Sequence, residues 1–117
     1  MRHCMKLRPA PFSMIRSGRK TFELRLNDEK RKLICIGDEI LFECTEGDTA
    51  PLLCRVVGLH PFDSFETLYR TLPLLSCGYT EETVATADPR DMEAYYSADE
   101  IRQHGVLAIA LETLAAQ

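Results

Sequence analysis

The chain has 117 residues, 45% of them apolar, and a formal charge of −4. That length and apolar share fit a single domain over 1–117 with its own core, and they exclude disorder as the default state. No run approaches the roughly 20 apolar residues of a membrane span, and Met1 to Pro11 lacks the apolar stretch of a secretory signal, so the expected setting is the cytoplasm.

Met5 to Arg8 is predicted as the first strand. Pro9-Ala10-Pro11 ends it, and Pro11 opens a short helix over 11–17, where a proline's missing N–H is no loss. Phe12 and Ile15 form its apolar side, and Gly18 sits where a left-handed C-terminal cap belongs. Thr21 to Leu26 alternates strictly, with Phe22, Leu24 and Leu26 on one face and Thr21, Glu23 and Arg25 on the other. Asn27 to Lys32 is a polar turn, and Gly37-Asp38 is a second turn signal. Glu39 to Cys44 and Leu52 to Leu59 are strands around the loop Glu46-Gly47-Asp48, the second apolar enough to be central. Asp63 to Glu66 has capping-box spacing before a helix over 64–71. Pro73 ends that helix, and 74–86 has no clear period. Asp88-Pro89 opens a helix through Met92 to Tyr95, Ser97 to Glu100 is a second capping box, and His104-Gly105 closes the helix it starts. Val106 to Leu111 is the last strand. Five or six strands with short inserted helices, joined by both hairpin-like and helical connections, give an α+β fold built on a small mixed barrel or strongly bent sheet.

The five cysteines include no C-x-x-C pair, and their odd number argues against a disulfide framework or a zinc knuckle. Cys35, Cys44 and Cys54 lie in apolar runs and read as small core residues. The three histidines are scattered, so no metal site is assigned. Neither a phosphate-cradling glycine loop nor any other cofactor motif is present. Charge, by contrast, is strongly uneven. Residues 1–32 hold ten Lys/Arg against three Asp/Glu, whereas 33–117 hold four against fifteen. Local potential steers a polyanion even when the total is negative, and the acidic remainder offers a surface for a protein partner.

The densest signal is Gly18-Arg19-Lys20-Thr21-Phe22-Glu23-Leu24-Arg25. Glu23 and Arg25 share a strand face about 7 Å apart, close enough to meet on one ligand. A carboxylate accepts from the exocyclic amine of a base such as cytosine. Arginine forks onto phosphate or stacks on a base. A lysine desolvated in a cleft can serve as nucleophile or base. The plainer alternative is an exposed strand face whose Glu23–Arg25 pair is worth under about 1 kcal/mol.

The Gly18 to Arg25 segment resembles the G-[RK]-K-T-x-E-x-R core of the ASCH domain family, part of the PUA-like superfamily. Ile36 to Phe42 resembles the family's G-D-x-I-x-F strand, and Phe65 to Tyr69 the helix after its central strand. Tyr95 to Glu100, with Gly105-Val106 and Ile109 to Leu111, resembles its ending. The resemblance implies a PUA-like β-barrel with a lateral cleft and a role in RNA or nucleoside/nucleotide binding. With the residue-level reading above, the expected ligand-binding residues are Arg19, Lys20, Thr21, Glu23, Arg25, Tyr96, which could stack on a base, and Ser97, which is first a helix cap. One bacterial branch of the family comprises amidohydrolases that deacetylate N4-acetylcytidine. There a lysine after Gly-Arg is the nucleophile, helped by a threonine three residues on and a distant glutamate. Lys20 matches that lysine, Glu23 replaces the threonine, and Leu75 falls near the distant position. If the chain is an enzyme of this kind, Lys20 and Glu23 are its catalytic candidates. If it is a binding module, Lys20, Glu23 and Arg25 grip a base and phosphate.

Overall fold

The structure is a computed structural model and describes residues 1–114. The apolar and alternating runs become five strands of one sheet: β1 (Arg2–Leu7), β2 (Phe22–Leu26), β3 (Glu39–Cys44), β4 (Leu52–Phe62) and β5 (Val106–Thr113). Their order is β1-β3-β4-β5-β2. The β1–β3 pair is parallel and the other three are antiparallel. The sheet curls into the half-barrel of a mixed α+β, PUA-like fold. Its two edge strands, β1 and β2, approach each other without a ladder, and Arg25 Nη2 bridges them by donating to the Lys6 carbonyl at 3.2 Å.

Helices α1 (Pro9–Arg16), α2 (Phe65–Thr71) and α3 (Ala98–His104) fill the connections. α1 begins at Pro9, two residues before the predicted start, because both prolines fit a first turn that needs no N–H. α2 is capped by Ser64, whose hydroxyl accepts from the Thr67 N–H; the expected Asp63 box does not form, and Asp63 instead accepts from the Thr67 hydroxyl. The predicted helix after Asp88-Pro89 is a tighter 3₁₀ segment, Pro89–Ala94, with the Asp88 cap in place. β4 outruns its expected end and passes through Pro61. β3 pairs with β4 only as far as Arg55, so beyond that point no β3 neighbour requires the missing N–H.

The sheet is apolar on both faces. On one, Phe12 and Ile15 of α1 are buried against Ile40, Phe42, Val56 and Ile109. Each such side chain contributes about 1.5–3 kcal/mol of burial. On the other, Leu24, Val106 and Ala108 pack under Phe65, Leu68 and Tyr69. This division fixes where the charges of β2 go. Glu23 lies opposite Ile109 and Arg25 opposite Leu107, and directly opposed residues share a face. Both charged side chains therefore stand on the face of the α1-side core, where the sheet stops at the open seam.

Candidate functional site

Backbone bonds seat the site before any side chain acts. Ser17 ends α1, and Gly18 turns the chain at φ +84°, a left-handed conformation suited to glycine. The Lys20 N–H then donates to the Met14 carbonyl at 3.0 Å, and the Thr21 N–H to the Ser76 carbonyl at 2.8 Å. Lys20 is thus pinned between α1 and the 74–76 turn at the entrance of β2. Its stem lies against Gly78, where an added Cβ would stand 3.5 Å from Lys20 Cδ and where φ is +113°. A side chain at 78 would be strained and would crowd the lysine.

Lys20, Glu23 and Arg25 converge. Lys20 Nζ is 2.9 Å from Glu23 Oε1, and Arg25 Nε donates to Glu23 Oε2 at 2.7 Å. Glu23 is 3% exposed and Lys20 9%. Burial works to raise the Glu23 pKa. The Lys20 charge, then the Arg25 charge, then the hydrogen bonds from both outweigh it and hold the carboxyl below its ordinary value. The trio is ionised and carries one net positive charge. Glu23 uses one of the three Lys20 N–H donors, and Arg25 Nη1 has no protein acceptor among the described residues.

The trio floors a cavity of about 800 Å³. One wall is the end of β1 and the start of α1, with Lys6 and Arg8. The opposite wall is the 77–96 segment, with Tyr79, Met92, Tyr95 and Tyr96. Tyr96 stacks on Phe65 with ring centroids 6.3 Å apart, and its neighbour Tyr95 is 63% exposed at the mouth. Tyr79 donates to Asp91 Oδ2 at 2.6 Å and its hydroxyl lies 2.8 Å from that of Tyr69. Burial, then the bond to Asp91, push the Tyr79 pKa far up, so it stays a neutral donor. Cys77 on the same wall is pushed up to about 11 by burial, against the pull of the Lys20 charge. Four cations and two carboxylates line the cavity, a positive hollow with aromatic walls. Among the described residues no three His, Cys, Asp or Glu side chains gather as a metal set. No helix there is long and apolar enough to cross a membrane.

The sequence profile of the ASCH domain matches residues 5–115. The chain belongs to the ASCH domain family. Among solved structures, it superposes on the hypothetical protein PH0355 with a TM-score of 0.78 and 30% identity, over 97% of this chain and 100% of that one. For PF0455 of Pyrococcus furiosus the TM-score is 0.75 and the identity 26%, over 99% and 100% of the two chains. The ASCH protein of Zymomonas mobilis shares the fold at a TM-score of 0.67 and 19% identity, over 95% of this chain and 66% of that one. No curated protein matches the sequence.

Within this ASCH domain, Lys20, Glu23, Arg25 and Tyr96 line the cavity, whereas Arg19, Thr21 and Ser97 do not. Arg19 is exposed and donates to the Ser17 hydroxyl. Ser97 is spent as the cap of α3, accepting from the Glu100 N–H at 3.1 Å. Leu75 is 45% exposed and also lies outside the cavity lining. Sequence reasoning missed Tyr79, because 74–86 lacks periodicity and only Gly78 hints at a close approach there, and missed Asp91, because that position reads as part of the helix opened by Asp88-Pro89. Glu81, Glu82, Glu93, Asp99 and Glu100 of the acidic part are exposed.

Proposed function

We propose that this ASCH domain binds single-stranded RNA and holds one unpaired base in the cavity above Lys20, Glu23 and Arg25. The observation that carries the reading is an ionised carboxylate buried between two cations on the floor of an open, aromatic-walled hollow. Burying ion pairs is weak support for stability, and perturbed charges in a cleft mark functional sites. A carboxylate has about four lone-pair sites; one facing the cavity suits the exocyclic amine of cytosine or adenine. The remaining Lys20 donors suit a base carbonyl, and Tyr95 offers an exposed ring for stacking.

Fluorescence anisotropy with a short labelled cytidine-rich RNA tests this. Binding at low salt should weaken with added salt, with a log–log slope of about −2 if about three phosphates are neutralised. Lys20→Ala and Glu23→Gln should each weaken it about tenfold or more. Absence of binding at low salt, or unchanged affinity in both variants, defeats the reading.

The 2.9 Å contact of the Lys20 amine with a buried carboxylate favours a second reading, hydrolysis of an acylated cytidine. Lys20 would act as nucleophile or base once another group or water takes its proton, and the ionised Glu23 carboxylate would orient the amine. Water would supply the elements that convert the acetamide C–N bond into acetate and the free cytidine amine. Acetate release from N4-acetylcytidine that disappears in Lys20→Ala supports it; no release by the wild-type protein removes it.

A further inference from the structure

Next to the main cavity lies a second, smaller recess of about 220 Å³, lined by Lys6, Arg25, Lys30 and Arg31 against the single carboxylate Glu43. Lys6 and Arg25 line both hollows, so the recess continues the main cavity past the seam between β1 and β2. Arg31 is set by Asp28, which accepts from its backbone N–H at 3.0 Å and from Nη1 at 3.1 Å. Its Nε is buried and has no acceptor among the described residues. A buried donor left unsatisfied is unfavourable and calls for a partner. Arg25 is committed to Glu23 and Lys6 through Nε and Nη2, which leaves Nη1 available. Four cations around one small space, two of them guanidinium groups with unused N–H, suit an oxyanion with several acceptor oxygens.

We propose that this recess is a phosphate subsite and takes the backbone phosphate adjoining the base held in the main cavity. The inference rests on the base-binding reading above and makes it narrower: the ligand is a nucleotide or a strand, and a free nucleoside fills only half the site. Arg25 links the halves, its Nε fixing the carboxylate that meets the base and its free end facing the phosphate.

Calorimetric titration of cytidine, and of the two cytidine monophosphates phosphorylated at either end of the ribose, tests this on the wild-type protein and on Lys30→Ala and Arg31→Gln. Lys30 is exposed, so its variant should fold even if Arg31→Gln disturbs the 28–33 turn. One monophosphate should bind the wild type about tenfold more tightly than cytidine. Both folded variants should lose that advantage and keep the affinity for cytidine. Equal binding of cytidine and both monophosphates, or an advantage that survives Lys30→Ala, overturns the subsite and leaves base binding standing. Monophosphate binding without cytidine binding, lost in Lys30→Ala, supports the subsite and removes the base reading. No binding of any of the three overturns both.

Discussion

β5 and β2 are neighbours in one ladder and both are largely buried, yet their chemistry differs. β5 lies between β4 and β2 and is apolar on both faces from Val106 to Ile109. β2 borders the seam; it gives Leu24 to one core and sets Glu23 and Arg25 on the other face. The difference teaches where a small fold can keep charge out of water. In mid-sheet a buried carboxylate would meet only hydrocarbon. At the seam Glu23 meets a lysine from the strand's own entry and an arginine two residues on, and the hollow beside it is open to a ligand.

The comparison breaks if the two strands respond alike to substitution. Ile109, fully buried in β5, should reveal the purely structural side: Ile109→Ala should lower the unfolding free energy by about 3 kcal/mol in urea titrations, while the folded fraction keeps its RNA affinity. Glu23→Gln should lower it less, by about 2 kcal/mol, because Lys20 and Arg25 both reach the cavity and regain some hydration there; RNA binding should weaken about tenfold or more. Equal stability losses with equal binding losses would erase the distinction between the strands.

A smaller effect sharpens the picture on the opposite wall. Tyr79→Phe removes the hydroxyl that joins Tyr69 to Asp91 and should lower stability by about 1 kcal/mol in the same urea titration. Smallest is a change in pH dependence. The Glu23 pKa is lowered in the folded protein, so its contribution is complete above the ordinary value of 4.5 and is lost as pH falls through the lowered one. Thermal melts from neutral to acid pH should show a wild-type decline that is shallower in Glu23→Gln.

Much of this contrast was legible in the residue order. The strict alternation of 21–26 identified the face that Glu23 and Arg25 share, the apolar run of 52–59 marked β4 as central, and 106–111 read as the last strand. The sequence could not say that the Glu23 face is covered, because period-two alternation assigns sides of a strand and not what closes over them; the curl that brings Lys6 to Arg25 is a property of the whole sheet. The far wall was hidden for another reason. From Leu74 to Ala94 the chain is a series of short 3₁₀ turns held by side-chain bonds such as Tyr79–Asp91 and Thr80–Thr83, which leave no hydrophobic period to read. Ser97 was legible as the cap of α3, but nothing in the residue order indicated that this position lies outside the cavity lining.

The most direct test of the ligand site is an NMR titration of isotope-labelled protein with short single-stranded cytidine-rich RNA. Base binding in the cavity predicts shifts concentrated at Lys20, Glu23, Arg25, Gly78, Tyr79 and Tyr96, around its floor and far wall. Shifts confined to the outer basic residues Arg16, Arg19 and Lys32, with the cavity signals unmoved, would contradict it.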